Sequence, residues 1–156
     1  MIISKFKSLI IGTGVIATFF IIICCNKNGE TNISSHGRHS HNMGKNCMDC
    51  HTKGGQGTGW FVIAGTVYDT IFPNNTPNPN GTVYLYTRPG GKGSLVATIE
   101  VDGKGNFYTT EKIDLSGGVY TKVVSAKGNI KYMSSVITYG ACSSCHNFNT
   151  YKIYIN

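Results

Sequence analysis

Two pentapeptides in the chain share one pattern: Cys47-Met48-Asp49-Cys50-His51 and Cys142-Ser143-Ser144-Cys145-His146. Two cysteines three apart on a helical turn present both sulfurs to one side, where they can form thioethers with the two vinyl groups of a single haem. The histidine that follows then lies under the iron as its proximal axial ligand, so the fifth position matters as much as the two thiols. Read this way, Cys47, Cys50, Cys142 and Cys145 carry two covalently bound haems c, and His51 and His146 ligate their irons. Two other chemistries use paired cysteines. A four-cysteine zinc site would draw on both pairs but gives no reason for a histidine after each. A pair of redox dithiols, which an oxidising compartment would allow, leaves the same repeated histidine unexplained.

Two irons have four axial positions, and His51 and His146 fill two of them. The other histidines of the chain are His36, His39 and His41, crowded just before the first motif. Such a cluster reads either as a solvated polar run, as a site for a stray metal, or as the supply of distal ligands. The order of preference for distal ligands is His41, His36, His39, and then the thioethers Met43 and Met133, which would raise the reduction potential. An extended tether so close to Cys47 does not wrap easily around its own haem. One or more of these histidines is therefore expected to serve the second haem or a haem in a neighbouring subunit.

The elements that must position these groups divide into an N-terminal leader and a β-rich body. Met1–Lys7 carries two lysines and no acid, and the apolar run Ser8–Ile23 ends in Cys24-Cys25. That is the layout of a signal peptide over 1–24. The run falls short of the roughly 20 residues that span a bilayer, so an uncleaved transmembrane helix is the weaker reading. The cysteine after it resembles the acylation site of bacterial lipoproteins. Cys25, preceded by the small Cys24, suits that pattern better than Cys24 preceded by Ile23, and lipid on Cys25 would anchor the protein to a membrane. Residues 25–46 are polar and glycine-containing and read as a tether. Of the six cysteines, four serve the haems, one the lipid, and Cys24 leaves with the signal peptide, so none remains for a disulfide.

The body follows the first haem-attachment segment, 47–58, and runs over 59–156. Its residues form short alternating strands between Gly, Pro and Asn clusters, with no amphipathic helical window. Strands are expected at 60–68, 82–88, 94–102, 107–108, 119–125, 131–138 and 151–155. Val83 and Leu85 share one face, and Leu95, Ala97, Ile99 and Val101 share another. The loop from Pro73 to Gly81 is too rich in proline and asparagine to pair in a sheet. A length of 156 residues with 13 % charged residues is room for one domain and excludes a multidomain enzyme, a coiled coil and an acidic disordered chain. The +7 formal charge is spread singly along the chain, with Lys5 and Lys7 in the leader, so no nucleic-acid partner is expected.

The two pentapeptides and their flanks resemble the attachment motifs of c-type cytochromes. The body resembles transthyretin-like and carboxypeptidase-regulatory-like Ig-type domains in Gly65-Thr66-Val67-Tyr68-Asp69, Gly81-Thr82-Val83-Tyr84-Leu85, Asp102-Gly103-Lys104-Gly105-Asn106-Phe107 and Gly118-Val119-Tyr120. The resemblance implies an all-β, Ig-like or transthyretin-like β-sandwich of seven strands, with haem held on an N-terminal arm and a C-terminal loop. It also implies a non-catalytic role. The expected function is that of a di-haem cytochrome carrying electrons at the cell envelope, as an outer-membrane or cell-surface lipoprotein, or outside the cell. Its partners would be other redox proteins or extracellular acceptors, and a homopolymer with inter-subunit haem ligation is the furthest extension. The alternatives are a di-haem peroxidase-like enzyme and a structural or sensor module. If Cys25 is the anchor, Cys25→Ser should abolish acylation and release the protein from membranes or leave its leader attached. Membrane fractionation with intact-mass analysis reads either outcome, and lipid on Cys24 would move the boundary by one residue.

Overall fold

The computed structural model describes residues 40–70, 75–146 and 152–156. The leader, Cys24, Cys25, His36 and His39 lie outside these residues. Among the described residues there are seven strands: β1 (Ile63–Tyr68), β2 (Thr82–Arg88), β3 (Lys92–Glu100), β4 (Asn106–Thr109), β5 (Tyr120–Val124), β6 (Ile130–Tyr132) and β7 (Ile153–Tyr154). They form a three-stranded sheet in the order β4-β1-β7 and a four-stranded sheet in the order β3-β2-β5-β6, an all-β sandwich as the alternation of apolar residues implied. Among the described residues helix is confined to a 3-10 turn at Cys47–Asp49 and a single turn, α1, at Cys142–Cys145.

The core lies between the sheets. On β2 the period of two sends Val83 and Leu85 inward, both fully buried, while Tyr84 and Tyr86 stay on the outer face. Ile63 and Val67 of β1, Ile99 of β3 and Phe107 of β4 meet them there. Each such side chain contributes about 1.5–3 kcal/mol of burial. Ala97, Ile99 and Val101 face the core as expected, but Leu95 does not and is 53 % exposed. The cause is a bulge: Leu85 pairs with Ala97 and Tyr86 with Leu95, so Val96 is the extra residue and the alternation reverses beyond it. The proline-rich loop also pairs more than expected. Pro77 forms an isolated bridge to Tyr68. The bonds flanking it run from Asp69 N to Thr76 O (2.7 Å) and from Asn78 N to Val67 O (2.9 Å), so the missing proline N–H is not required. The expected strand over 131–138 ends at Tyr132, with Ile137 making only a bridge to Val119.

All six residues of β1 are buried because both its edges and both its faces are occupied. One edge pairs antiparallel with β4. The other receives Gly140 O on Ala64 N at 2.9 Å and then β7 in parallel. Across its outer face runs the segment that leads into the first motif. Gly44 N donates to Thr66 Oγ1 (3.0 Å), Thr66 Oγ1 donates to Asn106 Oδ1 (2.6 Å), and Asn106 Nδ2 donates to Ser40 Oγ (3.0 Å). The fully buried Asp102 anchors this segment. Its carboxylate accepts the backbone N–H groups of Lys104 and Asn106, each at 2.9 Å, and the Ser40 hydroxyl. Asp102→Ala leaves those donors without their acceptor, which should cost about 2–3 kcal/mol. Urea unfolding of the purified chain measures it, and a loss below a few tenths of a kcal/mol would contradict this role.

Candidate functional site

Both pentapeptides close the same local bond. His51 N donates to Cys47 O at 3.0 Å, and His146 N donates to Cys142 O at 2.9 Å, so each histidine stands one helical turn beyond the first cysteine of its motif. At the first motif Asn46 caps the turn, accepting Met48 N at 3.2 Å through its side chain. The chain after His51 folds back, with Gly57 N on Cys50 O (2.8 Å) and Phe61 N on His51 O (3.0 Å). This fold brings two carbonyls to the imidazole: Nδ1 of His51 lies 3.1 Å from Thr58 O and 3.3 Å from Gly59 O. A carbonyl only accepts, so Nδ1 carries the proton and Nε2 is left with the lone pair. A backbone carbonyl on the far nitrogen is the usual arrangement behind a metal-ligating histidine.

The His51 ring is also clamped by aromatic stacking. It lies on Phe61 at 4.1 Å and 6°, and Phe61 lies on Tyr108 at 4.1 Å and 10°. His41 is also near it, with ring centroids 5.9 Å apart and planes at 38°. Two imidazoles bound through one nitrogen each to a shared metal, at about 2 Å per bond, have centroids about 6 Å apart. An extended tether would carry His41 away from its own motif, but a tight turn returns it. Asn42 (φ 52°) and Gly44 (φ 79°) take left-handed backbone, and Lys45 N bonds Asn42 O at 2.9 Å. His41, Cys47, Cys50, His51, Phe61 and Tyr108 line one cavity of about 640 Å³ on the outer face of the three-stranded sheet.

The second motif opens into a separate cavity of about 730 Å³ at the mouth of the sandwich. Cys142, Cys145 and His146 form part of its lining, and Met133 stands on it beyond the end of β6. Its floor reaches core residues, Leu85, Val123 and Phe107 among them. Tyr132, Val136 and Tyr139 lie along it with 50 %, 49 % and 63 % of their surface exposed. Large apolar groups left open along a concave surface mark a site for an apolar ligand. Both cavities fall in the size range of cofactor pockets, and each is lined by both cysteines and the histidine of one pentapeptide. The chain's residues therefore fit two haems. Among the described residues the second cavity contains no histidine besides His146.

The two motifs, remote in sequence, converge on β1. The turn at Cys47–Asp49 and helix α1 both pack against that strand. Burial pushes the Cys142 thiol up to about 12, and the nearby Cys47 and Cys145 push it the same way. Burial raises the Cys47 thiol too. Thiols held protonated are not poised for disulfide exchange, and all four described cysteines are free. Among the described residues no three His, Cys, Asp or Glu side chains gather as ligands for a bare metal ion.

The stack of Phe61 and Tyr108 behind His51 is a part of the site that the strand pattern alone does not single out. The carbonyls of Thr58 and Gly59 carry no side-chain signal at all. Compared with protein-family models, curated proteins and solved structures, the chain has no match. The carbonyl contacts of His51 give a direct test in the haem-free chain. Nitrogen-15 NMR of its neutral ring should report the Nδ1–H tautomer, whereas an Nε2–H tautomer would remove the preset lone pair.

Proposed function

We propose that the chain is a di-haem c-type cytochrome that carries electrons at the cell envelope or outside the cell, tethered through lipid on Cys25. The observation that carries this reading is that both cysteines and the histidine of each Cys-x-x-Cys-His motif line a haem-sized cavity of their own. Cys47 and Cys50 would hold one haem, and Cys142 and Cys145 the other, with His51 and His146 on the proximal sides. Bound haem supplies reversible one-electron chemistry at iron.

The chain's own residues do the positioning. Thr58 O fixes the tautomer of His51, Phe61 and Tyr108 fix the plane of its ring, and the turn at Asn42–Lys45 holds His41 beside it. A histidine on each side suits a six-coordinate carrier, which exchanges electrons with little rearrangement. A peroxidase-like enzyme needs an open or displaceable position with an acid–base group beside it. Partners are then redox proteins or extracellular acceptors.

Maturation in a host that attaches haem c, followed by spectroscopy of the reduced protein with and without carbon monoxide, tests the proposal. Two low-spin haems that ignore carbon monoxide are expected in the wild type. His41→Ala should leave both haems attached and make the first of them high-spin and reactive toward carbon monoxide. Polypeptide that emerges without haem under those conditions would overturn the proposal, and wild-type protein that takes up carbon monoxide readily at both haems would turn it toward the peroxidase reading.

A further inference from the structure

Resting on the di-haem reading, we propose that Met133 supplies the sixth ligand of the second haem, so that the two haems carry different axial pairs: His41 with His51, and Met133 with His146. The placement of Met133 follows from strand register. β5 and β6 pair Val123 with Lys131 and Lys122 with Tyr132, and Met133 N continues the ladder onto Thr121 O at 2.9 Å. With a period of two, Met133 shares a face with Lys131, opposite Thr121 and Val123. Val123 belongs to the core, and Thr121, Val123, Lys131 and Met133 all line the cavity. Cys142, Cys145 and His146 line the same cavity from the chain segment packed on β1, in the other sheet. The proximal histidine and the thioether thus come from the two layers of the sandwich, with the cavity between them.

The other donors on that lining are engaged or unsuited. Lys131 Nζ stands over the Tyr154 ring at 3.6 Å, a cation–π contact that requires the ammonium. Lys152 Nζ donates to Asn75 Oδ1 at 2.6 Å and lies over Tyr68 at 4.9 Å. A tyrosine would have to give up its hydroxyl proton before it could bind. A thioether binds as it stands: its sulfur donates a lone pair to iron, and no proton leaves. Sulfur ligation raises a haem's potential above that of a bis-histidine neighbour. The second haem is then the resting place of an electron, and the first is the more strongly reducing member of the pair.

The oxidised, haem-loaded full chain should show the near-infrared sulfur-to-iron charge-transfer band in absorption, in an amount matching one of its two haems. Met133→Ala should abolish the band and open one haem to carbon monoxide without loss of attached haem, whereas Met43→Ala should keep it. Met133→His should restore a low-spin iron closed to carbon monoxide, with the band absent and the midpoint potential of one haem lowered. Wild-type protein with two attached haems and no such band overturns the assignment to Met133 while leaving the di-haem reading standing, as does a band that survives Met133→Ala. A chain that carries no covalent haem overturns the reading itself, so the two failures are told apart by the haem content measured on the same sample.

Discussion

The structure depends on the full enclosure of one strand. β1 hydrogen-bonds along both edges, faces the core with Ile63 and Val67, and is covered outside by the segment from Ser40 to Asn46. This enclosure leaves little space. A Cβ at Gly65 would stand 2.7 Å from Phe107 Cζ and 2.9 Å from Cys142 Cβ, and one at Gly140 would stand 1.8 Å from Val62 O. Glycine at these two positions lets the second cysteine motif seat directly on the strand. The first motif reaches the same strand from outside, through the bond of Gly44 N to Thr66. One strand therefore sets the relative position of both pentapeptides.

Under the cytochrome proposal that arrangement has a functional consequence. The turn of the first motif and helix α1 of the second both pack on β1, so the two attachment points share one wall. Rigid elements hold reactive groups more closely than loops do. Unequal axial pairs on that wall would give an electron a preferred direction between neighbouring sites without any moving part. The anchor residue Asp102 belongs to the same design. Its carboxylate ties the turn before β4 to Ser40, and thereby fixes the segment that carries His41.

Much of this was legible in the residues, for identifiable reasons. The alternation in β2 predicts its buried face because the strand is regular, and the Cys-x-x-Cys-His spacing predicts the helical turns that both motifs adopt. Leu95 was misplaced because the bulge at Val96 is a property of the β2–β3 register, which neither strand encodes alone. His41 belongs beside His51 because of a turn at Asn42 and Gly44, residue types that favour left-handed backbone, whereas a reach estimate for extended chain ignores turns. The Phe61–Tyr108 stack needed the pairing of β1 with β4 to bring two distant aromatics together. Met133 could be named as a sulfur donor from its type, but only strand pairing places it on the cavity of the second motif.

The central claim, covalent haem at both pentapeptides, is tested most directly by proteolysis of the matured protein and mass mapping of its peptides. The account predicts that the peptide containing Cys47–His51 and the peptide containing Cys142–His146 each carry the mass of one haem, with none of their four cysteines open to alkylation. Alkylated thiols in either peptide, or a disulfide joining a pair, would contradict it.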